Sequence, residues 1–453
     1  HCQTSLSNRQ PMARKLFISV LGTGLYEKSV YTQGAFKSSE TRFIQQATLE
    51  LIGCKENWTE EDRVCFLLTD KAKVSNWEVS SRKHPHTKEE ISYEGLSTLL
   101  QKMDLRSQII PVSICDGKNE DEMWKIFQTT FEQIQDGDEL YFDLTHSFRY
   151  LPMLILVLGN YAKFLKNIRI AHISYGNYEA RNEEGSPIVD LLPLTVLQDW
   201  TFAAADFLHN GRSEQLIQLT QQVFKPILRD TRGEDQQAQA LRSFSDTLNN
   251  ITDNLQMCRG LNITKDKDIC RLKKSINQLS ENIIAPLVPV VKKIEQSFTN
   301  FIPDSNILNG LHAAQWCYDN HMYQQSITIL QETIVTYICN NNKLSVTDKD
   351  ARTLVNTAFF IVDKKLQQNE KKWTLTNYGK GNEAKDKVRE LIKDPDIEKL
   401  SSSFKIASDV RNDFNHAGFR PNPMTADKLE HKIKESINKV HNIIFGDYVH
   451  QPL

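Results

Sequence analysis

The stretch ELYFDLTHSFR, Glu139–Arg149, decides the fold. Glu139–Leu144 is a short apolar run of strand-forming residues, and it passes through Thr145-His146-Ser147 straight into the helical pattern Phe148–Leu165. The same grammar recurs outward on both sides. Lys15–Leu21 (KLFISVL) ends in Gly22-Thr23-Gly24, and Arg63–Thr69 (RVCFLLT) ends in Thr69-Asp70. Ile109–Ile114, Ile168–Tyr175 and Ile188–Leu192 supply further strands. Helical patterns fill the gaps over Glu40–Ile52, Ile91–Met103 and Glu120–Ile134. Short apolar strands separated by helix-length segments predict a mostly parallel α/β sheet with helices on both faces.

Beyond about Leu197 the strand signal ends. Helices are predicted over Asp199–Leu228, Gln237–Cys258, Asn277–Phe298, Asn306–Asn340, Ala351–Gln367 and Asp427–Ile444. The polar stretch Lys364–Lys387 reads as a loop. An α/β domain followed by an all-α half is the expected architecture.

Composition narrows the function. The 453 residues carry 55 Lys+Arg against 57 Asp+Glu, a net charge of −2, which excludes a basic nucleic-acid coat but leaves room for a local basic cleft. The eight cysteines form no CxxC pair, so a zinc ribbon is excluded and no metal site is expected. The longest apolar run, Leu151–Leu158, is too short to cross a bilayer, and no signal peptide precedes the first strand. The expected location is therefore cytoplasmic, with residues 1–11 read as a tag or leader.

In a parallel sheet, ligands bind beyond the carboxyl ends of the strands. Gly22, Thr23 and Gly24 offer backbone N–H groups and close approach there, as a phosphate needs. The GTG triplet lacks the full GxGxxG spacing and its acidic partner, which disfavours a nicotinamide-dependent oxidoreductase. Thr145, His146, Ser147 and Arg149 open a helix, with Ser147 at the cap position and Arg149 as a bidentate phosphate donor.

In the second half, FKIASDVRNDFNHAG (Phe404–Gly418) is the most informative segment. Ala407, Val410 and Phe414 make an apolar stripe, while the pairs Arg411/Asn415 and Asn412/His416 each stand four apart on another face. Gly418, Pro421 and Pro423 stop the helix. A histidine can pass protons and a guanidinium can stabilise a scissile phosphate, so RNA cleavage by its own 2′-hydroxyl needs no metal. One Arg and one His are few for this chemistry, and a dimer two-fold would supply a second set.

Arg411–His416 resembles the Arg-x4–6-His signature of HEPN ribonucleases. Leu21–Gly24 and Asp143–Arg149 resemble the ligand-binding segments of CARF domains, the Rossmann-like sensors of cyclic oligoadenylates. Leu308–Cys339, with Ala314, Trp316, Tyr323, Thr328, Leu330 and Glu332, looks like the helix preceding the catalytic motif in CRISPR-associated CARF–HEPN proteins. The resemblance implies a CARF sensor over 12–197, a helical linker over 198–300 and a HEPN domain over 301–453. It implies a type III CRISPR effector: a homodimer that binds cyclic oligoadenylate across its two-fold axis and then degrades single-stranded RNA, leaving 2′,3′-cyclic phosphate ends. On this chain, Arg411 and His416 become the catalytic pair, with Asn412 and Asn415 positioning. Gly22, Thr23, Gly24, Thr145, His146, Ser147 and Arg149 become activator-binding residues, the DLTH pattern leaning to cyclic tetra-adenylate over cyclic hexa-adenylate. No cofactor beyond this activator is implied. The alternatives are a sensor with a silent helical scaffold and a ring nuclease.

Overall fold

The computed structural model describes residues 13–83, 87–146, 150–265, 267–279, 288–375 and 378–445. The expected leader, Ser147 and Arg149 lie outside these residues. The chain divides into two compact units, the first ending at Val196 and the second starting at Leu197.

The first unit is built on an eight-stranded sheet. Its strands in chain order are β1 (Lys15–Leu21), β2 (Tyr31–Gln33), β3 (Phe36–Lys37), β4 (Arg63–Leu68), then the separate hairpin β5 (Ser80–Lys83) and β6 (Glu90–Tyr93), then β7 (Gln108–Ser113), β8 (Glu139–Asp143), β9 (Arg169–Gly176) and β10 (Ser186–Asp190). The spatial order is β3-β2-β10-β9-β8-β1-β4-β7. The five strands from β9 to β7 are mutually parallel, whereas β10 runs antiparallel to β9. The chain winds from β1 through β4 to β7 on one side, then crosses to β8 and β9 on the other. The topological switch point therefore lies between β1 and β8, where a doubly wound sheet opens its crevice.

Alternation within β1 sorts two cores. Leu16, Ile18 and Val20 pack under helices Glu120–Glu132 and Leu151–Lys166, against Ile126, Leu154, Ile155 and Leu158. Phe17 and Leu21 face the opposite layer with Leu49, Trp58, Leu96 and Leu100. Each such side chain contributes about 1.5–3 kcal/mol by leaving water. At the amino ends of the strands, Arg14 makes a bidentate pair with buried Asp138, at 2.9 and 2.6 Å.

The helix expected over Ile91–Met103 is shorter. Glu90–Tyr93 is a strand paired with Ser80–Lys83, and the helix is Leu96–Lys102. Gly95 sets the boundary, because a Cβ there would fall 2.3 Å from the carbonyl oxygen of Trp77. The small hairpin β2–β3 carried no sequence signal.

Among the described residues the second unit is helical throughout. The helix expected over Asp199–Leu228 is two, Leu192–Asn210 and Glu214–Asp230, parted by Gly211 at φ +66°. Asn306–Asn340 likewise splits into Asn309–Asp319 and Tyr323–Asn341 at His321, φ 59°. Of Asn277–Phe298, the described parts are the end of helix Asp268–Gln278 and helix Val288–Gln296. The stretch Lys364–Lys387, read as a loop, contains a 3-10 turn at Glu370–Lys372 and the start of helix Glu383–Leu391. The long helix Pro395–Asn415 begins at the N-cap Asp394, with Pro395 in its first turn. Its Phe404 stacks on Phe359 with ring centroids 4.3 Å apart.

Gly95→Ala is expected to destabilise the first unit by about 2 kcal/mol or more, because backbone rather than a flexible side chain must move. Urea unfolding of the variant against the parent checks this.

Candidate functional site

The first candidate site is the β1/β8 switch point. Ser19 and Asp143 are register partners on neighbouring strands, and the Ser19 hydroxyl donates to the Asp143 carboxylate at 2.7 Å. Asp143 is 1% exposed and also accepts from the Thr145 amide (3.2 Å) and hydroxyl (2.5 Å). Burial pushes its carboxyl above the ordinary range, against the pull of these donors. The Thr145 oxygen accepts in turn from the Gly176 amide at 2.8 Å, so it joins the ends of β8 and β9. This hydroxyl is engaged inside the fold.

The loop after β1 is clamped from below. Buried Asn76 donates through Nδ2 to the carbonyls of Gly22 (2.7 Å) and Gly24 (2.9 Å). Thr23 and Gly24 are left on the surface. Gly22 lets the two segments approach closely: a Cβ there would lie 2.6 Å from the Tyr26 hydroxyl, which would have to move, and 3.4 Å from the Cβ of His146. Tyr26 stacks on the His146 imidazole with centroids 4.0 Å apart. The two segments singled out in the sequence, Gly22–Gly24 and Thr145–His146, thus meet across the crevice.

Desolvation lowers the His146 pKa to about 4, so the ring is neutral at physiological pH. Its Nε2 is buried and has no hydrogen-bond partner among the described residues. A neutral imidazole can exchange a hydrogen bond but offers no positive charge to an anion. Asn76, Tyr26 and Gln45, which bonds Ser19 and Val20, were not anticipated. Asn76 sits in the π-turn Lys73–Trp77, which leaves no periodic trace in sequence.

The second candidate site is the end of helix Pro395–Asn415. Asn412, Asn415 and His416 are exposed around its last turn. Arg411 is half-buried, and its Nη1 donates to Glu332 Oε1 (2.8 Å) and Gln331 Oε1 (3.2 Å) on helix Tyr323–Asn341. Glu332 also holds Arg352 through Oε2 at 2.6 Å, so one carboxylate aligns two guanidinium groups. Buried Asp413 accepts from the Met424 amide at 3.0 Å, fixing the turn after His416. Ala417 and Gly418 close the helix with φ of 50° and 74°. The arginine is preorganised, and the imidazole and two amides are presented to solvent beside it.

Two family models match separate stretches of the chain. The family model described as CRISPR system endoribonuclease Csx1, CARF domain, matches residues 16–179. The model described as CRISPR-associated protein MJ1674, second domain, matches residues 196–306. CRISPR-associated protein MJ1674 of Methanocaldococcus jannaschii is 25% identical over 227 residues, 49% of this chain and 33% of that protein. The chain thus matches about a third of that relative's length. A solved structure of Enterococcus italicus Csm6 bound to cyclic hexa-2'-fluoro-hexa-dAMP aligns with 97% of this chain and 96% of its own, at 11% identity and a TM-score of 0.41. The two family matches support a CRISPR-associated chain whose first unit carries a CARF domain. Neither matched range includes Arg411–His416.

Linkage fixes the pH response of His146. The unfolded chain protonates this imidazole below about pH 6.5 and the folded chain only near about 4. Across that window the unfolded state binds more protons, so stability falls as the pH drops from 6.5 towards 4. His146→Gln is expected to flatten this part of the stability curve relative to the parent, as read by chemical unfolding at stepped pH.

Proposed function

We propose that the chain is a cyclic-oligoadenylate-activated, metal-independent endoribonuclease of type III CRISPR defence that acts on single-stranded RNA in the cytoplasm. The observation that carries the sensing half is the meeting of Gly22 and His146 at the switch point of a unit that the CARF model matches. Backbone amides of the exposed Gly22–Gly24 loop suit the ring's phosphates. Neutral His146 suits a base edge or a ribose hydroxyl, and Ser147 and Arg149 complete the proposed binding set. Cyclic tetra-adenylate is the favoured activator.

The ring's symmetry calls for a second copy of the chain. Helix Leu151–Lys166 supports one. Opposite its buried side it exposes Met153, Val157 (56%), Tyr161 and Phe164 (86%), an apolar stripe at helical spacing. This helix follows directly on the His146 turn, so a two-fold axis along it brings two crevices side by side.

The proposed nuclease domain is the part of the second unit from about residue 301 onward, and its proposed site is the end of helix Pro395–Asn415. The guanidinium of Arg411 takes up the charge that develops on the scissile phosphate. His416 moves a proton between the 2′-hydroxyl and the leaving oxygen, and Asn412 and Asn415 orient the phosphate. The products are a 2′,3′-cyclic phosphate and a 5′-hydroxyl. A second copy supplies the other proton-transfer group.

Arg411→Ala and His416→Ala are each expected to lower RNA cleavage by about 10²–10⁴-fold with ring affinity unchanged. Unchanged cleavage in both variants overturns the assignment. Val157→Asp with Phe164→Asp is expected to give monomers that no longer respond to the ring, as read by light scattering and cleavage together.

A further inference from the structure

The second unit contains a cavity of about 760 Å³ that the reading above leaves unused. Helix Tyr323–Asn341 forms its main wall. Thr328, Glu332, Thr336 and Asn340 follow one another at four-residue steps on this wall, with Thr333 and Tyr337 alongside. The other side of the same helix buries Ile327, Leu330, Ile334 and Ile338 in the core. Side chains along this stripe can exchange hydrogen bonds with a guest, while Leu261, Leu308 and Ile329 give the same cavity an apolar side.

The charges in the cavity define that group. Arg352 is on its wall, but its guanidinium is taken by Glu332, by Thr336 Oγ1 (2.9 Å) and by the Val346 carbonyl (3.0 Å). It forms part of a neutral surface and offers no anion seat. Lys265, exposed, is the remaining cation among the lining residues. The interior therefore suits a neutral group rich in donors and acceptors, with one phosphate at the rim. A volume of this size lies in the range that holds small ligands. Tyr337 adds an aromatic wall.

Glu332 belongs to this wall and also grips Arg411 at 2.8 Å. We infer that the cavity is a nucleotide subsite, which receives the base and ribose of a substrate RNA nucleotide neighbouring the phosphate held at Arg411. This rests on the nuclease reading above and adds to it a source of affinity and base preference. A base seated against Thr328, Thr333 and Tyr337 anchors the strand while Glu332 holds Arg411 in line with the next phosphate.

Thr328→Trp places an indole in the cavity one helical turn from Glu332, and Asn341→Ala removes a lining amide at its exposed end. Both are tested in the full-length chain with cyclic tetra-adenylate and single-stranded RNA of each base composition. Thr328→Trp is expected to raise KM for RNA about tenfold or more with kcat retained, and Asn341→Ala to change the ratio of kcat/KM between base compositions. Circular dichroism and ring affinity equal to the parent's show that each variant is folded. Unchanged KM and unchanged base preference in folded variants overturn the subsite while leaving the nuclease reading intact. A change in oligomer mass with KM unaltered also overturns it, assigning the cavity to a protein contact. A parent chain that cleaves no RNA overturns the nuclease reading itself, and the subsite with it.

Discussion

The hydrogen bonds around the buried carboxyl of Asp143 hold the first candidate site together. Its partners come from β1 and from the turn after β8, the two strands that flank the switch point. Leaving such a group unsatisfied would cost several kcal/mol. The Ser19 and Thr145 donors offset that penalty and in doing so set the loop positions. Thr145 passes the constraint to β9 through Gly176, and Gln45 backs Ser19 from the helix above. Asn76 performs the matching task for Gly22 and Gly24. The crevice keeps its shape because buried polar bonds hold it from below at both Asp143 and Asn76.

The second unit uses a carboxylate differently. Glu332 is half-exposed and stands between Arg411 and Arg352, so its charge organises two cations near solvent. Exposed ion pairs contribute little stability. Their effect here is geometric, since two acceptors hold the Arg411 guanidinium in place. The same carboxylate also borders the cavity of the second unit, so one side chain touches both Arg411 and the cavity wall.

Much of this was legible in the sequence, for reasons that differ by element. The central strands are continuous apolar runs because both their faces are covered, and Lys15–Leu21 and Arg63–Leu68 stand out for that reason. The small strands Tyr31–Gln33 and Phe36–Lys37 lie at the sheet edge and are too short for a period to show. Helix breaks at Gly211 and His321 fell inside unbroken apolar patterns, because both flanking helices pack on the same core. In the first candidate site, Gly22 was visible as a glycine and His146 as a polar residue just beyond the ends of buried strands. The side chains that hold them were not. Asn76 acts from a distant turn and Tyr26 through stacking, and neither contact follows from spacing. In the second site, Arg411 and His416 were read from helical spacing, whereas the grip of Glu332 depends on how two helices pack.

The central claim joins a ring-shaped signal in the first unit to RNA cleavage in the second. Its most direct test is cleavage of a fluorescent single-stranded RNA in EDTA with cyclic tetra-adenylate, cyclic hexa-adenylate or no ring. The account predicts cleavage with a ring alone, stronger with the tetra-adenylate, and none without one. Equal cleavage in all three conditions, or none despite measured ring binding, would contradict it.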